Sequence, residues 1–280
     1  MDRRKRTVRL LWFGAAALIF LVGAICTGGG EKHESIQETM RDAVLHTSAQ
    51  IKFFGLDVNP GLLSAFTVTG ILLLFALLVR ILAIPRFRYV PGRLQLLLEQ
   101  AVGLFDNLAK SNSPHRCGFL GAYVFAAGTY IFVGTLFELL GIQAVTTAGA
   151  SISLPAPLSD INGAIALGCL SYCVILSGGI AGNGLRGVGR TLKDFSLPIS
   201  MSFRMFGALL SGALVTELVY YYIHLSFVLP VAVGVLFTLL HALIQAYVLT
   251  MLTALFYGEV SEPSHKEKKS PGKTASAVHS

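Results

Sequence analysis

The stretch PISMSFRMFGALLSGALVTELVYYYIHL, residues 198–225, is predicted to form one long membrane helix. It carries a single arginine, Arg204, among apolar and small neighbours. An arginine near the middle of a bilayer costs about 2.5–3.5 kcal/mol on insertion scales, so its guanidinium should face protein or water. Small residues follow it at three- and four-residue spacings, which puts them on or beside the same face: Gly207, Ala208, Ser211 and Gly212. Such a nearly smooth face allows another helix to slide past closely.

The composition of the whole chain indicates a membrane protein. Of its 280 residues, 54% are hydrophobic and only 13% are charged, whereas a soluble domain carries about 25% charged residues. The net charge of +7 does not indicate nucleic-acid binding, because the positive charges lie in loops between apolar runs. That arrangement is a topology signal. We therefore expect membrane lipid, and no nucleic acid, around this chain.

The apolar runs predict an all-α polytopic membrane protein with five or six membrane helices, of which the last two are long. Residues 1–27 hold an apolar segment that is either a secretory signal or a first membrane helix. An external loop is expected at 28–60, the transmembrane domain at 61–258 and a tail at 259–280. Loops richer in Lys and Arg alternate with loops poorer in them, and one orientation satisfies all of them, with the tail cytoplasmic.

Two segments between the membrane runs have simple interpretations. Residues 94–108, LQLLLEQAVGLFDNL, read as an amphipathic helix lying on the membrane surface. Residues 182–187 match the dinucleotide fingerprint G-x-G-x-x-G, but they follow a membrane helix, with no strand before them. We interpret them as a flexible cytoplasmic turn, and the sequence predicts no cofactor.

The cysteines have no spacing typical of a metal site, and we predict no metal ligands. Cys169 and Cys173 share a helical face and are expected to be small core residues.

Polar residues at membrane depth are the candidates for function. At about 1.5 Å per residue, Glu217 lies about 20 Å nearer the outer face than Arg204, while Gln245 lies at a depth comparable with the arginine. Protonatable groups in such a series are typical of proton or ion paths. The candidates are Arg204, Gln245, His241, Glu217, Asp160 and Glu138. For Glu138, an equally good interpretation is that its carboxylate simply reaches water at the helix end.

Two motifs resemble subunit a of the F-type ATP synthase, the stator of that enzyme's membrane sector. Residues 197–207, LPISMSFRMFG, are similar to the family's essential-arginine motif, and residues 244–253, IQAYVLTMLT, are similar to its last-helix signature. Weaker matches occur in the family's order at 90–95, 137–141 and 159–162. Together the matches extend over about residues 60–258.

The resemblance implies a mechanism as well as a fold. A ring of c subunits, each with one carboxylate, would rotate past the two long helices, and ions would cross through two half-channels in the membrane domain. Arg204 would be the charge barrier and the partner of the ring carboxylate, since a guanidinium does not deprotonate. Gln245 and His241 would line the path near it, with Glu217, Asp160 and Glu138 on the outer side. Further implied partners are peripheral-stalk b subunits and, indirectly, the F1 sector, and the implied location is the cell (inner) membrane.

The sequence also departs from the family pattern. Ala208 stands where the family commonly has Asn, and Ala213 stands at an often acidic position, with Glu217 one turn later. Thr238 occupies the usual protonatable position of the last helix, with His241 three residues on. Since these shifts move apart in antiparallel helices, Glu217 and His241 are not expected to form a direct pair.

Two other functions are compatible with the same residues. In a secondary transporter, Arg204 would bind an anionic substrate, although such folds often contain internal repeats and none is found between the two halves of this chain. A non-transporting assembly scaffold is the other alternative. In each interpretation the chain is not a catalyst by itself. The choice between protons and sodium ions, and between synthesis and hydrolysis, is not encoded in the residues considered.

Overall fold

The computed structural model describes residues 51–53, 56–114, 117–145, 151–221 and 229–262, together with Val22. The predictions for residues 1–27, for most of the loop at 28–60 and for the tail beyond Glu262 lie outside these ranges. The described part contains the helices α1 Pro60–Leu78, α2 Arg93–Asn112, α3 Cys117–Phe137, α4 Ile161–Asn183, α5 Leu185–Lys193, α6 Ser196–Tyr221 and α7 Leu229–Ser261.

Five of these helices are long and apolar enough to cross a membrane, counting only the described residues: α1 with its extension to Arg86, α3, α4, α6 and α7. The prediction of an all-α, multi-pass membrane protein is therefore confirmed. Helix α2 corresponds to the predicted amphipathic helix and is longer than expected at both ends.

The local chemistry of α1 explains where it begins and how it ends. The Asn59 side chain accepts a hydrogen bond from the Gly61 amide, and Pro60 occupies the first helical position, where its missing N–H is harmless. At the other end, Pro85 has no N–H to donate, and in a regular α-helix its ring would clash with the carbonyl four residues earlier. The helix widens before it into a π segment, Val79–Ala83, followed by a 3₁₀ turn, Ile84–Arg86.

Helices α3, α4, α6 and α7 pack into one bundle, and α2 crosses it at one end against α3 and α7. Apolar burial drives helix association weakly inside a membrane, so close approach of small residues matters more. Several glycines lie where a Cβ would be under 3.0 Å from a neighbouring element: Gly128 against α2, Gly168 against α6, Gly178 and Gly182 against the end of α7, and Gly258 of α7 against the end of α2.

The two ends of the bundle can be distinguished by their charge. At one end the Asn183 amide donates to the carbonyls of Val260 (2.9 Å) and Glu262 (2.8 Å), which ties α4 to the end of α7. The loop between α1 and α2 and the short helix α5 lie at this end, and both are rich in arginine. We call it the basic end; the other end carries Asp160 against Gly61.

The predicted flexible turn at 182–187 is wrong except at Gly184, because α4 continues to Asn183 and α5 begins at Leu185. Gly184 has a positive φ of 59°, which reverses the chain after α4. Gly187 then packs directly onto the Gly179 carbonyl, so that α5 folds back along α4. The glycines of the G-x-G-x-x-G match thus serve a helical hairpin, and no nucleotide-binding strand precedes them in the described chain.

Two short antiparallel hairpins were not predicted. β1 (Ile51–Phe53) pairs with β2 (Leu56–Val58) just before α1, and β3 (Gln143–Val145) pairs with β4 (Ser151–Ser153) between α3 and α4. They lie outside the membrane helices and do not change the fold class.

The prediction that Cys169 and Cys173 are core residues is wrong, because both lie exposed on α4. Their helix packs through the stripe that includes Gly168, Ser171 and Ile175 instead.

Candidate functional site

The arginine of the long helix lies on an exposed face of α6. Arg204 is exposed, and so are Gly207 and Ser211, which follow it by one and two turns. A Cβ added at Gly207 would meet no atom within 4 Å, so the surface beside the arginine is open as well as smooth. None of the described carboxylates forms an ion pair with Arg204.

The opposite side of α6 fixes the helix in the bundle. Met201, Ser202 and Met205 are buried, and the Ser202 hydroxyl donates to the Pro198 carbonyl at 2.7 Å. Gly168 of α4 lies against this turn, where a Cβ would be 2.9 Å from the Pro198 carbonyl oxygen. This contact has no signal in the sequence, because Gly168 is one of 29 glycines. The contact with Gly168 holds the turn of α6 that carries Arg204, and it therefore determines which face of the bundle the arginine occupies.

Gln245 of α7 lies beside the turn of α6 that carries Arg204. Its side chain is only 6% exposed, and its Nε2 donates to the Arg204 carbonyl oxygen in a long contact of 3.5 Å. Its Oε1 is buried and has no hydrogen-bond partner among the described residues. A buried acceptor without a partner costs about 1–3 kcal/mol, so this amide is an unusual feature of the interface between α6 and α7.

His241 lies one turn before Gln245 and is partly buried. Its Nδ1 is 2.8 Å from the Phe237 carbonyl oxygen, and its ring stacks on the Phe237 ring with centroids 5.8 Å apart. Because a carbonyl can only accept, Nδ1 carries the hydrogen in this bond. The lone pair of the neutral imidazole is then on Nε2, which is the atom available to take up a proton.

Glu138 and Asp160 occupy element ends on the side away from the basic end. Glu138 is exposed in a 3₁₀ turn, Glu138–Leu140, that follows α3 and packs against α7. Asp160 caps α4, since its Oδ1 accepts from the backbone N and the side-chain amide of Asn162 at 3.1 and 3.2 Å. A structural role for Asp160 is therefore directly visible. Glu217 lies on α6, and its side chain falls outside what the structure describes.

Helix contacts allow the depths of these residues to be compared along the bundle. Gly128 of α3 faces Thr250 of α7, so Glu138 lies about 7 Å beyond the level of Gln245 at 1.5 Å per residue, and His241 about 6 Å beyond it. Gly168 faces Ser202, which puts Asp160 about 9 Å beyond Arg204 on the same rise. Three protonatable side chains thus lie within one layer, about one to two helical turns from the arginine.

The described residues contain no group of three or more His, Cys, Asp and Glu side chains arranged to hold a metal ion. The candidate site consists of one exposed cation, Arg204, the buried amide of Gln245 and the protonatable side chains of His241, Glu138 and Asp160.

These features define a class: a multi-pass helical membrane protein that exposes a cation on a smooth helix face at bilayer depth. Residues 188–258, which include Arg204, His241 and Gln245, match the model of the family described as ATP synthase A chain. The chain is also similar to proteins named ATP synthase subunit a from two strains of Cereibacter sphaeroides, ATCC 17025 and ATCC 17029. Each is 27% identical over 208 residues, covering 70% of this chain and 79% of the relative. The chain is thus similar to the ATP synthase A chain family over residues 188–258 and to ATP synthase subunit a over 70% of its length.

Proposed function

We propose that this chain is the stator subunit a of an F-type ATP synthase and carries ions past a ring of c subunits. The single observation that carries the proposal is the exposure of Arg204 on the small-residue face of α6. A cation at this depth is costly in lipid, so it needs an anionic partner, and the described part of the chain provides none within ion-pair distance. A carboxylate on a neighbouring chain satisfies that need.

The smooth surface favours a moving partner over a fixed one. Gly207 and Ser211 leave room for a neighbouring helix to come close without interlocking side chains. A ring carboxylate would pair with Arg204 while ionised and leave once another group supplies a proton. Because the guanidinium keeps its charge, it cannot pass a proton along and so prevents a direct leak.

Residues on the far side of Arg204 support an access route for protons. His241, Glu138 and Asp160 lie in one layer, and the free lone pair of His241 Nε2 can take up a proton there. Glu217, about 20 Å from Arg204 along α6, would lie nearer the membrane surface. Gln245 would position the arginine's turn through the Arg204 carbonyl. By the positive-inside rule, the basic end and the tail are cytoplasmic in the bacterial inner membrane.

The driving force is sufficient for such a mechanism. One charge crossing 100 mV releases about 2.3 kcal/mol, and several charges per turn of the ring add up. The partners would be the c ring, the peripheral-stalk b subunits and, through them, the F1 sector, where the nucleotide chemistry takes place. Residues 61–258 would be the ion-translocating domain.

A transporter binding an anion at Arg204 finds less support. A large crevice in the described bundle lies between α1 and the other helices, and Arg204 does not line it. Arg204 lies instead on an exposed face of α6. A transporter should also be isolated without a ring or nucleotide-binding subunits, which gives a direct biochemical distinction.

The decisive experiment compares Arg204→Ala with the wild-type complex in membrane vesicles, measuring ATP-driven proton pumping and proton-driven ATP synthesis. The matched control is Arg190→Ala, an exposed arginine of α5 at the basic end. We expect the Arg204 variant to assemble with the ring but to lose both activities, while the control keeps them. Normal pumping by assembled Arg204→Ala vesicles would refute the proposal.

A further inference from the structure

The first membrane helix packs against the bundle through only part of its length. Its buried residues, Pro60, Gly61, Ser64 and Val68, form one stripe in the half away from the basic end. Val68 contacts the cluster formed with Phe137 and Leu154. From residue 69 to residue 86 no side chain is buried. The helix therefore diverges from the bundle toward the basic end.

A crevice of about 1220 Å³ runs along α1, from Gly61 and Asp160 at one end to Ile84 and Phe87 at the basic end. The packing stripe continues into it, since Leu72, Ala76 and Val79 follow Val68 at spacings of four, four and three and line its wall. The facing wall belongs to α3 and α4, and α2 crosses below it with Leu98, Val102 and Gly103. Almost all of the lining is apolar, so water would find few partners there.

The mouth of the crevice at the basic end is positively charged. Phe87 lines the crevice, and Arg86 and Arg88 flank it in the chain. Both arginines are exposed, and neither forms an ion pair with a described carboxylate. The loop is held to α2, because the Gln95 amide accepts from the Arg88 backbone N at 3.1 Å and donates to its carbonyl at 3.0 Å.

Two carboxylates also line this end of the crevice, and both already have donors. Glu99 accepts a hydrogen bond from Gln95 Nε2 at 2.7 Å, and Asp106 forms an ion pair with Lys110. The arginines thus remain the unpaired charges among the described residues at the mouth. An apolar slot at acyl-chain depth that ends in free arginines matches the chemistry of an anionic phospholipid.

We propose that the crevice binds one anionic phospholipid from the leaflet at the basic end. An acyl chain lies between α1 and α3, where it restores the van der Waals contacts that an unfilled slot would lack. The phosphate group lies against Arg86 and Arg88. Positive-inside topology explains why basic residues occur on this side, but it requires neither an apolar slot beside them nor their tethering by Gln95.

The test uses the purified complex, stripped of lipid in detergent and titrated with spin-labelled phosphatidylglycerol or phosphatidylcholine. The motionally restricted fraction of the label measures the bound lipid. We expect the wild-type complex to prefer phosphatidylglycerol. Each arginine is expected to contribute about fivefold to the preference for phosphatidylglycerol. The double variant Arg86→Gln, Arg88→Gln should therefore lower that preference by roughly 25-fold.

A second variant tests the slot separately from the charge. Gly103 lines the crevice, and a Cβ there meets no atom within 4 Å, so Gly103→Leu fills space without a clash. It should reduce the restricted fraction of both lipids. The matched control is Gly70→Leu, which also meets open space but does not line the crevice; it should bind both lipids as the wild type does.

Three results would overturn the proposal. The first is an unchanged preference in the Arg86/Arg88 variant. The second is an equal loss in Arg186→Gln with Arg190→Gln on α5, which would show a general charge effect of the basic end. The third is disulfide cross-linking of Leu72→Cys to residues 10–26 or to a partner polypeptide in the native complex, which would show that a helix fills the slot. Retained preference in the α5 variant, with no such cross-link, supports the lipid site.

Discussion

Enlarging Gly207 is expected to block the movement of a partner without harming the chain itself. Gly207 lies one turn beyond Arg204 on the same exposed face, and a Cβ there meets no atom within 4 Å. Replacing glycine by leucine inside a helix favours the helix by roughly 1 kcal/mol. Gly207→Leu should therefore leave the stability of this subunit unchanged or slightly raised.

The effect on function follows from the space that a neighbouring helix needs. Inserting side-chain atoms into a closely packed contact costs about 1–3 kcal/mol. If that energy adds to the barrier of each step of the ring, the rate falls by on the order of 5- to 150-fold. The assay is ATP-driven proton pumping by inverted membrane vesicles, normalised to the amount of assembled complex.

The control is Gly70→Leu on α1, the same substitution at another membrane glycine with open surroundings. Because α1 is separate from the Arg204 face, this variant should pump at the wild-type rate. Wild-type pumping by Gly207→Leu would show that no partner passes that face, and the argument for a rotating neighbour would fail. Equal loss in both variants would attribute the effect to leucine in a membrane helix in general.

Three further predictions concern the remaining residues. Asp160→Ala removes the helix cap and should cost about 1 kcal/mol of stability, measured by thermal unfolding of the complex. Asp160→Asn should keep the cap and only slow proton pumping. Normal pumping by the Asn variant would exclude the carboxylate from the proton path. Gln245→Leu removes a buried unpaired acceptor, so the free energy of unfolding should be unchanged or rise by about 1 kcal/mol. Proton pumping should fall, because Gln245 positions the turn of Arg204. Pumping at the wild-type rate would contradict that positioning role. Gly187→Val would press on the Gly179 carbonyl and should destabilise the subunit by at least about 1–3 kcal/mol, seen as less assembled complex; Gly189→Val, which meets open space, should assemble normally.

The sequence predicted the membrane helices because their signal is local. A run of about twenty apolar residues is long enough to span a bilayer wherever it packs, and the described bundle contains such helices near the predicted positions. The face of α6 was predictable for the same reason, since residues three and four apart share a side of any helix. Arg204 and Gly207 are exposed together, as that spacing requires.

Features that depend on which helices meet could not be read from the chain. In the sequence, the segment of α5 looks like a glycine-rich loop. Its helix is stabilised by the contact between Gly187 and Gly179 on α4, which the sequence does not reveal. The exposure of Cys169 has the same cause, since the side of α4 that is buried depends on its neighbours. The crevice beside α1 is a gap between elements and has no pattern of its own in the sequence.

The exposed surfaces of α1 and α6 illustrate how the bilayer changes the meaning of exposure. Leu73 and Phe75 of α1 are 67% and 55% exposed, which in lipid is the ordinary state of an apolar side chain. Arg204 is exposed to the same surroundings, where its charge is unfavourable. A fixed carboxylate within the chain would remove that cost, but it would also occupy the arginine permanently. A cation that needs a counter-ion, but must not be paired permanently, requires an anionic partner that binds and then leaves. This is the physical argument for a moving ring beside α6.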